Sequence, residues 1–267
     1  MSILDGYEVH QEISSVMKIY PNFIRIYDYK NAYVIRRHDY DPRNPNRTTK
    51  SSKVTFDQED YEKASLRRAK TNLIDLTLCN GFELFATFTF AKDRYDIDAK
   101  KRQMAFWLNN QRILHGKFAY IIVPELHKDG ALHFHALFSG FNGKLKDSGK
   151  LIHGRKAFNF TGYKAGFNSA VKIDNLEKVS SYVSKYMTKD MPTFRNKQRY
   201  WCSNGLIRPV KIANPLLTEQ DKELFTNVFE NSQKVILEYR GELSEADIKR
   251  IKGSQRDIED QLWVSEW

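Results

Sequence analysis

The stretch "KFAYIIVPELHKDGALHFHALF", residues 117–138, reads as two apolar strands joined through Asp129-Gly130, a dipeptide that supplies the positive φ a tight hairpin needs. Its second strand, "ALHFHALF" (131–138), holds two histidines in an otherwise apolar run. Such a run fits a buried strand, and a buried imidazole needs a partner. Side chains alternate along a strand, so His133 and His135 share one face while Phe134 points to the other. With a three-residue loop, Lys128 to Gly130, and Gly130 left-handed, Glu125 falls directly across from His133. Two imidazoles and a carboxylate on one face form a mixed nitrogen and oxygen set that suits Mn²⁺, Mg²⁺ or Zn²⁺ acting as a Lewis acid. The plainer alternative is a pair of hydrogen-bonded core histidines. His127, at the turn's edge, is either a fourth neighbour or a solvated side chain.

Outward from the hairpin, "ELFATFTF" (83–90) alternates as a strand, with Phe85, Thr87 and Thr89 on one face and Leu84, Ala86, Phe88 and Phe90 on the other. "DIDAKKRQMAFWLNNQRIL" (96–114) reads as a helix capped by Asp96 or Asp98. The Gly-rich stretch 140–166 reads as a loop with at most one short strand. "DNLEKVSSYVSKYMTKD" (174–190) reads as a helix opened by a D-x-x-E cap and stopped by Pro192. "RYWCSNGLIRPVKI" (199–212) reads as a last strand pair. The order β-α-β-β-α-β from residue 83 predicts an α+β fold: a central antiparallel sheet with helices on one face, in a ferredoxin-like layout.

Nearer the N-terminus, residues 17–37 read as two strands around a turn at Asp28–Asn31, residues 38–53 as a long basic loop, and Asp57 to about Cys79 as a helix containing "SLRRAK". The organisation expected is a hairpin, basic loop and basic helix over 1–80, a core over 81–212 and a helical C-terminal segment over 213–267.

The chain has 267 residues with 43 Lys and Arg against 33 Asp and Glu, a net charge of +10 that favours a polyanionic partner, chiefly nucleic acid. Its two cysteines, Cys79 and Cys202, stand far apart, which argues against a disulfide framework or zinc knuckle and fits a reducing cytoplasm. No apolar run approaches membrane-spanning length, and the first residues lack the pattern of a signal peptide.

On the 174–190 helix, Leu176, Val179, Val183 and Met187 form an apolar stripe at steps of three and four residues. At about 100° per residue, Tyr186 lies about 65° from the stripe's centre and Tyr182 about 105°, so they stack on one flank a turn apart. Lys189 falls near the direction of Tyr182, and Lys185 points nearly opposite the core. The simplest role for these tyrosines is to bury their rings at the stripe's edge and leave their hydroxyls wet. Next to a metal site, a tyrosine can instead attack a phosphodiester.

Taken in order, F-x-T-F-T-F (85–90), the histidine pair 133–135, and Y-x-x-x-Y with Y-x-x-K-D (182–190) make the chain resemble the HUH-type rolling-circle replication initiators of small single-stranded DNA phages and plasmids, over roughly residues 60–212. The resemblance implies a divalent metal, Mn²⁺ or Mg²⁺, on His133, His135 and Glu125. It implies Tyr186 as nucleophile, Tyr182 as the second tyrosine of the two-tyrosine phage type, and Lys189 as helper at the scissile phosphate, with Lys185 less favoured. In some plasmid members the Tyr182 position holds a water-activating glutamate. Thr87 and Thr89 would support the site from below. The implied reaction cuts single-stranded DNA at a replication origin, leaving a 5′-phosphotyrosine and a free 3′-OH, and rejoins it. No G-x-x-x-x-G-K-[ST] occurs, so unwinding would fall to a separate host helicase, in a bacterial cytoplasm.

"FRNKQRYW" (194–201) interleaves Arg195, Lys197 and Arg199 with Phe194, Tyr200 and Trp201, the mixture that holds single strands; an edge strand with inward aromatics would read the same way. Arg67, Arg68 and Lys70 form a second basic surface, and Arg43, Arg47, Lys50 and Lys53 a third. A mobilisation relaxase or transposase would share the chemistry. A non-catalytic ferredoxin-like nucleic-acid-binding protein would share only the fold.

Overall fold

The computed structural model describes residues 9–37, 58–194 and 198–253. In chain order the elements are β1 (Val9–Tyr20), β2 (Phe23–Arg37), α1 (Gln58–Cys79), β3 (Leu84–Phe88), α2 (Ile97–His115) and β4 (Ala119–Leu126). Then come β5 (Leu132–Ser139), β6 (Leu145–Ile152), β7 (Arg155–Phe160), β8 (Asn168–Lys172), α3 (Leu176–Lys185) and β9 (Trp201–Cys202). The chain closes with β10 (Val210–Ala213), α4 (Glu219–Glu223), β11 (Thr226–Glu230), β12 (Lys234–Tyr239) and α5 (Glu245–Lys252). They divide into two units, Thr55–Arg208 and the two chain ends, Met1–Val54 with Pro209–Trp267.

The central unit holds an antiparallel sheet of order β6-β7-β8-β3-β5-β4-β9. The α+β class is as the sequence predicts, but the helices cover both faces. Leu84, Ala86 and Phe88 of β3, with Phe134, Ala136 and Phe138 of β5, pack against Met104, Trp107 and Leu108 of α2. The opposite face, with Ile121, Val123 and Leu137, packs against Leu73 and Leu76 of α1 and Val179 and Val183 of α3. The cause is visible in "YIIV" and "HALF": strands apolar at successive positions must be covered on both sides. Phe88, Phe134 and Phe138 are fully buried, each stabilising the unit by about 2–3 kcal/mol.

The stretch read as loop, 140–166, contains the β6–β7 hairpin. Its turn places His153 (φ 49°) and Gly154 (φ 76°) in the left-handed region, a conformation that suits the twist of a two-residue hairpin. Strand β8 then joins β3 before α3 begins, so the second helix follows the strand that the β-α-β-β-α-β order would place after it. At the other edge, β9 pairs with β4 while β10 pairs with β1, so residues 199–212 are not a strand pair.

The second unit is a sheet of order β10-β1-β2-β12-β11. The β1–β2 turn is at Pro21-Asn22, where Tyr20 and Phe23 stack with ring centroids 4.5 Å apart. The predicted turn at Asp28–Asn31 lies inside β2, where the register jumps from Ser15↔Asp28 to Ile13↔Tyr33. The C-terminal segment expected to be helical carries the β11–β12 hairpin between two short helices. Its turn is set by Asn231, whose side-chain oxygen accepts from the backbone of Gln233 and Lys234. Strand pairing thus joins the two chain ends, and α1, grouped by sequence with the N-terminal segment, packs in the central unit instead.

Candidate active site

The β4–β5 hairpin sets the site's spacing. His127 N donates to Ala131 O (2.9 Å) and Gly130 N to His127 O (2.7 Å), leaving Lys128 to Gly130 as a three-residue loop with Gly130 at φ 83°. Asp129 Oδ1 accepts from Ala131 N at 3.0 Å and tightens the same turn. The resulting register pairs Glu125 with His133, as the loop length predicts. The Glu125 carboxylate does not meet the residue opposite; it reaches diagonally to His135, with Oε2 to Nε2 at 2.6 Å. On the far side, β3 pairs Thr87 with His135, and Thr87 Oγ1 lies 3.3 Å from His135 Nδ1. Both nitrogens of the buried His135 ring therefore have a partner. Thr89, from the same motif, exchanges hydrogen bonds with the backbone of Phe167 instead.

The His133 ring lies against His127, centroids 5.1 Å apart, and His127 is 3.5 Å from Asp129. The His135 hydrogen bond, reinforced by the nearby imidazoles, holds the Glu125 carboxyl below its ordinary range. Burial, with His127 close by, lowers His133. Among the described residues, no three His, Cys, Asp or Glu side chains are gathered as a ready metal centre.

Helix α3 delivers the tyrosines. Asn175, not Asp174, is its N-cap, accepting from Lys178 N at 2.8 Å, while Asp174 pairs with Arg155 at 2.7 Å. Val179 and Val183 are buried, as is Met187 just beyond the helix, so the predicted stripe is the inward face. That docking lays the Tyr186 ring flat on His135, centroids 3.5 Å apart and planes within 10°. Tyr182 stands edge-on to Tyr186 at 5.2 Å and to Phe85 at 5.6 Å. The Tyr186 hydroxyl donates to that of Tyr182. Burial first, then the Tyr182 hydrogen bond and the negative Glu125, push the Tyr186 phenol far above its ordinary value. The free protein thus holds Tyr186 as the neutral phenol.

The helix ends at Lys185, with Tyr186 at its C-cap, rather than running to 190. The helical-angle preference for Lys189 over Lys185 therefore does not apply: Lys189 is exposed beyond the helix, its charge acting on Glu59 of α1. Lys185 is on the helix and lines a cavity beside Tyr182.

The basic candidates separate. Arg67 and Arg68 are exposed on α1 and Lys70 is half-buried. Arg199 donates to the Thr188 carbonyl at 2.9 Å, tying down the segment after α3. Trp201 turns inward, edge-on to Tyr120 at 5.9 Å and against Phe194 at 5.8 Å. Arg195, Lys197 and the basic positions of 38–53 lie outside the described residues. The roles of Phe85, under Tyr182, and of Arg155 and His153, on the β6–β7 turn, escaped the sequence reading. The only cue for the hairpin was His153-Gly154 between short β-prone runs.

A sheet presenting a carboxylate, imidazoles and two tyrosines on one face, in a strongly basic chain, is the constitution of a protein that acts on DNA. Over residues 83–191 the chain matches the family model of the replication-associated protein ORF2 group, in agreement with the resemblance to rolling-circle replication initiators. The match supports a role in initiating replication and implies DNA binding. No curated protein and no solved structure matches the chain significantly. Among the described residues, no helix is long and apolar enough to cross a membrane.

Proposed function

We propose that the protein is an HUH-type initiator that nicks single-stranded DNA at a replication origin through Tyr186 and rejoins it. The observation that carries this reading is the Tyr186 ring stacked 3.5 Å from His135, whose Nε2 meets the Glu125 carboxylate. A candidate nucleophile and two candidate metal donors, distant in sequence, meet at one point. The match over residues 83–191 supports the same reading.

The donors fit a divalent cation in kind. Glu125 and His135 present an oxygen and a nitrogen to the same point, Thr87 steadies the other ring nitrogen, and His133 shares their face. A bound Mn²⁺ or Mg²⁺ would polarise the scissile phosphate. Tyr186 Oη attacks phosphorus, the bond to the 3′-oxygen breaks, and the proton lost by the phenol is matched by one gained at the free 3′-OH. Attack by a 3′-OH on the phosphotyrosyl bond reverses the step. Because the free protein disfavours the phenolate, Tyr186 reacts only once DNA and cation alter the field at its oxygen. Tyr182, hydrogen-bonded to it, stands ready for a second transfer. Lys185 and Lys189 are the candidate cations for the developing phosphate charge, and Arg67, Arg68, Lys70, Arg195, Lys197, Arg199 and Trp201 the candidate DNA contacts. Unwinding is left to a separate helicase.

The test is cleavage of labelled single strands from the protein's own replicon, with Mn²⁺ or EDTA, resolved on a denaturing gel. A metal-dependent covalent adduct is expected, lost in Tyr186→Phe and retained in Tyr182→Phe. Adduct surviving in Tyr186→Phe and lost only in the double variant would assign two independent nucleophiles. Absence of adduct on every strand would leave a binding module with the same fold.

A further inference from the structure

On the Tyr182 side, the sheet face bearing the histidines opens into a cavity of about 700 Å³. In strand register Thr87 pairs with Ser169 and Phe85 with Val171, so all four lie on this face and line the cavity's floor. One wall is α3, through Lys178, Ser181, Tyr182 and Lys185; the other is the β6–β7 turn, through His153 and Arg155. Arg155 is held by Asp174 at 2.7 Å. Two lining residues also touch the site: Thr87 contacts His135, and the Tyr182 hydroxyl accepts from Tyr186.

The cavity lies within the size range of small-molecule pockets, of order 300–1,000 Å³, which is room for a nucleobase with its sugar. Phe85 and Val171 offer an apolar surface, and Lys178, Lys185 and Arg155 put cations at the rim. An apolar platform for a base with cations for its backbone is how unpaired nucleic acid is held. We propose that this cavity seats an unpaired base of the single strand beside the phosphate attacked by Tyr186, with Lys178 and Lys185 facing the neighbouring phosphates. The inference rests on the nicking function proposed above and adds to it a specificity site outside the histidines.

The experiment compares binding of the full chain to oligo(dT) and to a base-free abasic strand of equal length, by fluorescence anisotropy. Wild type is expected to prefer oligo(dT) by about tenfold, the scale of one stacked base. Ser181→Trp fills the cavity from an exposed helix position and Ser169→Phe fills it from the floor. Both are expected to remove most of that preference while leaving abasic-strand affinity unchanged. Lys178→Gln is expected to weaken both strands alike. Equal binding of the two strands by wild type, or a preference that survives in both filled variants, overturns the proposal. Adduct formation is read on the same preparations: adduct with no cavity effect sinks only the base site, and a cavity effect without adduct sinks only the nicking reaction.

Discussion

Tyr186 occupies a position that works against its own ionisation: half-buried, bonded to a second phenol and close to a carboxylate. A nucleophile kept neutral until substrate arrives does not react with stray electrophiles, and the site's activation must come from what binds there. His135, beneath it, is held from both sides, by Glu125 and by Thr87. The Thr87 contact predicts a measurable effect. Thr87→Val keeps the side chain's shape and removes the hydroxyl, so about tenfold more Mn²⁺ should be needed for half-maximal nicking. An unshifted metal titration would make Thr87 a packing residue only. Sequence placed Thr87 under the site but not against His135, because their register joins strands 48 residues apart. Arg199 shows the converse: its type and neighbours point to DNA, yet its guanidinium serves a backbone carbonyl.

Elements governed by local rules match their sequence readings. Asp96 caps α2, accepting from Ala99 N, and Gly130 closes the β4–β5 loop, because both signals act over a few residues. Helix α3 stops early because Tyr186 and Met187 bond back only three residues, to Val183 and Ser184, in a tightened last turn. In the C-terminal segment, Asp221 completes the α4 capping box with Thr218 and receives both arms of Arg250, at 2.9 and 2.8 Å. The Arg250 hydrogen bonds, then Thr218, hold its carboxyl well below the usual carboxylate range. Asp221→Asn should therefore cost about 1–2 kcal/mol at neutral pH, read from urea unfolding. A depressed folded value means the contribution is complete above the ordinary aspartate value of about 3.9 and is lost only as pH falls through the lower folded value. The gap between wild type and variant should thus persist at neutral pH and shrink in strong acid; a gap constant through acid would show that the ion pair is not its source.

Across the whole molecule, a net charge of +10 predicts that single-strand binding weakens steeply with salt, by about 0.7 log units of affinity per log unit of salt for each phosphate neutralised. Titrating oligo(dT) binding against NaCl measures that slope, and a flat line would remove phosphate contacts from the account. The division into two units was not legible because both are closed by pairings between distant segments, β10 on β1 and β12 on β2 in one, β3 on β5 and β8 in the other. No local signal encodes such partners. What the sequence by itself determined was periodic or short-range: the α+β class, the histidine hairpin with Glu125 opposite His133, the inward stripe of α3 and the one-turn spacing of its tyrosines. Only the tertiary structure decided that helices cover both sheet faces, that Glu125 turns to His135, and that Tyr186 stacks on that same ring. Those outcomes depend on which surfaces meet once the sheet has formed, and burial is a property of the assembled core rather than of any segment in it.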